Sequence, residues 1–94
     1  MRMLPEENVF GKALRRCRQR AGVSQERLAL RAGVARTYVG RIERQVLNPT
    51  MRTMHRMLKA LDVSWNLFSA IVEEELVLVR FPLTTKSRAR RAKP

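Results

Sequence analysis

The sequence predicts an all-α fold of five short helices, followed by a C-terminal extension of undecided structure and a basic tail. Three observations predict it. Apolar residues return every three or four positions from Phe10 to Val72, the period of a helix with one buried face. Residues that start helices (Ser24, Thr50, Ser64) and end them (Gly22, Gly33) stand between these stripes. Nothing before Leu76 requires a strand.

The first helix carries the stripe Phe10, Leu14, Cys17, Ala21, and Gly22 suits the left-handed residue that closes it. Ser24 caps a second helix that runs through Leu28, Ala29 and Ala32 and stops at Gly33. A third helix spans about Arg36 to Arg44, with Val39 and Ile42 inward. Asn48-Pro49 breaks the chain. Thr50 then caps a fourth helix with the stripe Met51, Met54, Met57/Leu58, Leu61. Ser64 caps a fifth through Leu67, Phe68, Ile71 and Val72. Leu76-Val77-Leu78-Val79 is continuously apolar and rich in β-branched residues, and Pro82 closes it. This segment reads equally as a strand or as the end of the fifth helix. The expected organisation is an arm (1–9), a helical domain (10–75), an apolar extension (76–83) and a basic tail (84–94).

Ninety-four residues make one domain with a modest core, which a partner subunit would stabilise. Twenty Lys and Arg oppose eight Asp and Glu, a net charge of +12. Such an excess repels itself and calls for a polyanion, a membrane surface or a very acidic partner. Between Phe10 and Leu61, thirteen basic residues face only Glu26 and Glu43. Glu73-Glu74-Glu75 follows. The tail carries Lys86, Arg88, Arg90, Arg91 and Lys93 with no acid and no bulky apolar group, too polar to hold itself folded.

Other classes find little support. The single cysteine, Cys17, excludes a disulfide framework and fits a reducing cytoplasm. Its place on an apolar stripe makes it core filler. The N-terminus has no signal-like apolar run, and Leu76–Val79 is far too short to cross a bilayer, so no membrane association is expected. His55, the only histidine, has no acid or cysteine at ligand spacing and reads as a surface residue; the five Met residues read as packing. No nucleophile–base pair, phosphate loop or metal spacing appears. Neither an enzyme nor a bound metal or cofactor is expected.

Ser24–Ala32, the turn Gly33-Val34-Ala35 and Arg36–Arg44 have the lengths of a helix-turn-helix. Ala29 is small where the two helices would cross, and Val34, Val39 and Ile42 would fill the space between them. Gly22-Val23-Ser24-Gln25-Glu26-Arg27-Leu28-Ala29, Ala32-Gly33-Val34, Thr37-Tyr38-Val39, Ile42-Glu43-Arg44 and Asn48-Pro49-Thr50 resemble the Cro/repressor-type (XRE-type) helix-turn-helix family across about Phe10–Phe68. Arg36-Thr37-Tyr38 with Ile42-Glu43-Arg44 further resembles the controller proteins of restriction–modification systems. Phage-type repressors and antitoxins share much of this pattern.

The resemblance implies a transcription regulator that binds duplex DNA. The second helix of the motif would enter the major groove, which is wide enough for a helix and carries a distinct pattern for each base pair. Arg36 and Thr37 near its start, and Arg41 one turn on, are expected at base edges, with Tyr38 beside them. Gly40 is explained either by close approach to DNA or as a surface accident. Family members grip the backbone with a glutamine at the position of Gln25; Ser24, Arg44, Asn48 and Arg52 are further phosphate candidates. Lys12, Arg16, Arg20, Arg27 and Arg31 read as a basic rim, part solvated and part facing phosphate. The family pattern also pairs Arg18 with Glu43. A homodimer reading a palindrome is expected to meet through the fifth helix around Trp65, Leu67, Phe68 and Ile71, extended by Leu76–Phe81. The rivals are an antitoxin holding a toxin partner through its C-terminal part, and an RNA-associated protein that uses the tail. The second is disfavoured by an aromatic content of only 5%.

Overall fold

Local chemistry sets the helix ends. The Oγ of Ser24 accepts the Arg27 N–H, Thr50 Oγ1 accepts that of Thr53 and Ser64 Oγ that of Leu67, so all three expected N-caps are formed. Gly22 (φ 68°) and Gly33 (φ 74°) take the left-handed conformation that closes the helices before them. Gln45 (φ 65°) and Asp62 (φ 58°) do the same without being glycine. The computed structural model describes residues 9–80, in five helices: α1 (Val9–Arg20), α2 (Gln25–Ala32), α3 (Arg36–Glu43), α4 (Met51–Leu61) and α5 (Trp65–Arg80). The tail, most of the arm and residues 81–83 of the extension lie outside the described residues.

The core gathers Leu14, Leu28, Val39, Ile42, Met57, Leu58 and Ile71, all essentially without solvent contact. α1 packs against α3 and α5, and α2 against α3 and α4. Two expected stripes are displaced. α1 buries Val9, Gly11, Ala13, Leu14 and Cys17, while Phe10 remains 42% exposed and Ala21 is exposed. The reason is Gly11. A Cβ there would collide with the backbone carbonyl of Ile42, so α1 turns its bare glycine toward α3 and Phe10 swings outward. On α4 the buried stripe begins at Met54; Met51, in the first turn, is 76% exposed. Cys17 is buried as expected, and burial pushes its thiol up against the opposing pull of Arg20 and Arg16.

The segment left open between strand and helix is helical. α5 runs sixteen residues to Arg80, with Leu76 and Val79 half-buried against the core and Val77 and Leu78 exposed. Phe68, Ile71, Val72, Glu75 and Val79 continue one helical face, and that packing overrides the weak strand preference of the valines. An ion pair not foreseen from the sequence helps. Arg16 donates to Glu74 at 2.7 Å and to the buried Glu75 at 3.1 Å, tying α1 to α5. Arg16 therefore leaves the set of rim cations. Among the described residues, no helix is long and apolar enough to cross a membrane.

Candidate nucleic-acid interface

α2 and α3 meet through small and β-branched side chains. Ala29, Ala32, Val39 and Ile42 are buried and Val34 is half-buried, as the turn between them requires. α3 starts without a side-chain cap, because its N-cap residue is Ala35. It ends on hydrogen bonds from the Gln45 N–H to Ile42 and from the Val46 N–H to Arg41, both 2.9 Å, which the left-handed Gln45 makes reachable.

One carboxylate fixes how α3 sits. Glu43 is only 4% exposed. Arg18 grips it with two donors, Nε to Oε2 at 2.6 Å and Nη2 to Oε1 at 3.0 Å. The remaining Arg18 nitrogen, Nη1, donates to the Val23 carbonyl at 2.8 Å. Gln25 Nε2 adds a donor to Glu43 Oε1 at 3.0 Å. The end of α1, the start of α2 and the end of α3 thus share one buried anion. Its hydrogen bonds to Arg18 hold that guanidinium above the ordinary arginine range, with burial opposing. The expected Arg18–Glu43 pair is present. The role of Gln25 in it was missed, since the sequence reading assigned that side chain to phosphate alone. A lone acid flanked by donors on two other helices was the available signal.

On the outer side of α3, Thr37, Arg41 and Arg44 recur at spacings of four and three and are all exposed. Arg36 is exposed in the first turn. Tyr38 is half-buried and packs its ring against the core. Gly40 is buried, so its explanation as a surface accident is withdrawn. Ser24, Asn48 and Arg52 are exposed, Ser24 with its oxygen engaged as a cap. Within α2 and α3 the sole exposed acid is Glu26, against exposed Arg27, Arg31, Arg36 and Arg41.

The expected dimer residues are divided. Phe68 and Ile71 lie in the chain's own core, 3% and 1% exposed, and offer a partner nothing. Trp65 and Leu67 stay exposed, and the helical continuation of α5 adds Val77 and Leu78. The Trp65 indole N–H donates to His55 Nδ1 at 3.0 Å with the rings 4° from parallel, so His55, read as a plain surface residue, orients Trp65.

The sequence profile of the helix-turn-helix family matches residues 14–68. The control protein C.SmaI of Serratia marcescens is 36% identical over 58 residues, 62% of this chain and 69% of that protein. The HTH-type transcriptional regulator y4dJ of Sinorhizobium fredii is 35% identical over 56 residues, 60% of this chain and 73% of that protein. Among solved structures, the wild-type restriction-modification controller protein C.Esp1396I superposes with a TM-score of 0.75 at 27% identity, covering 80% of this chain and 97% of its own. The tetramer of that protein in complex with its natural 35 base-pair operator matches equally, with a TM-score of 0.75 at 27% identity over 80% of this chain and 99% of its own.

Proposed function

This chain belongs to the helix-turn-helix family, and from that premise we propose that it is a sequence-specific transcriptional regulator that binds duplex DNA as a homodimer on a palindromic operator. The observation that carries the reading is the exposed cationic face of α3, held in place by the buried Arg18–Glu43–Gln25 network. α3 enters the major groove. Arg36 and Arg41 present guanidinium forks suited to guanine O6 and N7, and Thr37 offers a hydroxyl or a methyl. Tyr38, half-buried, stands beside them with less surface to offer. Ser24, Gln25, Arg44, Asn48 and Arg52 meet phosphate, which sets register without reading sequence. Gln25 is suited to both tasks, because its amide has a second N–H beyond the one given to Glu43.

Two copies related by a twofold axis read half-sites about one helical turn apart. The contact between them is built on exposed α5, through Leu67, Val77 and Leu78 beside Trp65. The likeness to C.SmaI and C.Esp1396I supports the finer reading of a controller for a restriction–modification system, acting in the cytoplasm without catalysis of its own. A toxin-binding role draws less support from the acidic run, because Arg16 engages two of its three acids, Glu74 and Glu75.

Selection from a random duplex pool tests the proposal. One enriched palindrome is expected, bound by a dimer in sedimentation. Arg36→Ala should then weaken that site by about 1–3 kcal/mol and relax one base position. Unchanged affinity and base preference in this variant would remove Arg36 from the reading head.

A further inference from the structure

Gly40 stands in the middle of α3 and is buried. Glycine in a helix interior lowers stability relative to alanine, so its presence needs a cause. Backbone conformation is not the cause, because the positive-φ glycines among the described residues are Gly22 and Gly33. Backbone crowding, the cause at Gly11, is not the cause either. A Cβ built at Gly40 would meet side-chain atoms: Arg44 Nη1 at 3.2 Å, Gln25 Oε1 at 3.7 Å and Arg44 Cζ at 4.0 Å. The space that an alanine methyl would fill is bordered by the guanidinium of the residue one turn on. Helical side chains lean toward the N-terminus, which brings residue 44 back over residue 40. Arg44 as a whole remains exposed, so it stays open to a ligand from solvent.

We propose that Gly40 is a positioning residue: its missing side chain forms a notch that seats the Arg44 guanidinium on α3 beside Gln25, presetting it to clamp a DNA phosphate. This rests on the DNA-binding reading above. A long cation normally loses side-chain freedom when it engages a phosphate. One already seated loses less. An added methyl would push the flexible tip of Arg44 off its seat by a few tenths of an ångström rather than move any backbone, so the fold survives the change while the guanidinium is no longer held against α3.

The experiment compares wild type, Gly40→Ala, Arg44→Ala and the double variant. Binding is measured on the duplex selected by the wild type and on an unrelated duplex, over a range of salt. Thermal unfolding is recorded in parallel. Gly40→Ala should lower affinity on both duplexes, by a measurable part of the loss in Arg44→Ala, which a single charge-assisted contact puts at about tenfold. Its salt slope should fall by about one phosphate contact. Its melting temperature should not drop, and the double variant should bind no worse than Arg44→Ala. Should Gly40→Ala fail to fold, Arg44→Lys serves instead: it keeps the charge but loses the flat group above Gly40, and its affinity should fall toward that of Arg44→Ala. Wild-type affinity in Gly40→Ala or Arg44→Lys overturns the proposal. So does a Gly40→Ala loss that adds to the Arg44→Ala loss, since that marks a direct clash with DNA. If the wild type binds no duplex at all, the DNA-binding reading fails; if it binds and Gly40→Ala is silent, only the notch fails.

Discussion

Arg16 and Arg18 stand two residues apart on α1 and tie it to different helices. Arg18 turns toward α3 and closes on Glu43, with the carboxylate buried and every guanidinium nitrogen engaged. Arg16 turns toward α5 and divides itself between exposed Glu74 and buried Glu75, with its own side chain partly in solvent. Both pairs raise the arginine's affinity for its proton through hydrogen bonds to the acids. Their structural weight differs. At the α3 end a lost partner would leave a charge with little access to water. At the α5 end water can replace much of what is lost. The end proposed to read DNA is therefore the more tightly constrained, and the end proposed to meet a second copy tolerates change.

Removing partners separates the two ends most sharply. Glu43→Ala strands Arg18 and should cost about 3–5 kcal/mol in urea unfolding, with loss of DNA binding beyond what instability explains. A cost near that of an exposed pair would erase the contrast. Next in size is Gly11→Ala, which forces α1 away from the Ile42 carbonyl; overpacking of this kind costs about 1–3 kcal/mol, and operator affinity should fall with it because α3 moves. A neutral result would mean that the α1–α3 approach yields more easily than the geometry implies. Glu75→Ala removes a buried partner of Arg16 and should cost about 1–2 kcal/mol while leaving affinity per folded dimer unchanged. Glu74→Ala should cost at most about 1 kcal/mol, and less in molar salt, since an exposed pair is screened there while Glu43 is not. A salt-independent effect of Glu74→Ala would place that carboxylate in a drier setting than its exposure indicates.

Much of the fold was legible because helix ends are local events. Ser24, Thr50 and Ser64 bond amides three residues on, and Gly22 and Gly33 supply left-handed backbone at no steric cost. Gln45 escaped notice because glutamine seldom takes that conformation, and Asp62 because aspartate, though tolerated there, marks turns and helix starts as readily. At the candidate site, the exposure of Arg36, Thr37, Arg41 and Arg44 and the Arg18–Glu43 pair were legible from spacing and family resemblance. The bond from Gln25 to Glu43 and the seat of Arg44 over Gly40 were not. The bond needs α2 and α3 to be placed to within an ångström, and the seat needs the rotamer of Arg44, which spacing alone does not fix.

The sequence by itself determined the helix-turn-helix, its net charge and the residues facing outward on α3, because caps and periodicity act within one or two turns. Tertiary structure decided the rest. Close approach to Ile42 at Gly11 rotated α1 and exposed Phe10. Packing on the core took Phe68 and Ile71 away from the expected dimer face. Continued burial along one face, with Arg16 anchoring Glu75, carried α5 as helix through Leu76–Val79. These outcomes turn on which surfaces meet, and residues far apart in the chain settle that together.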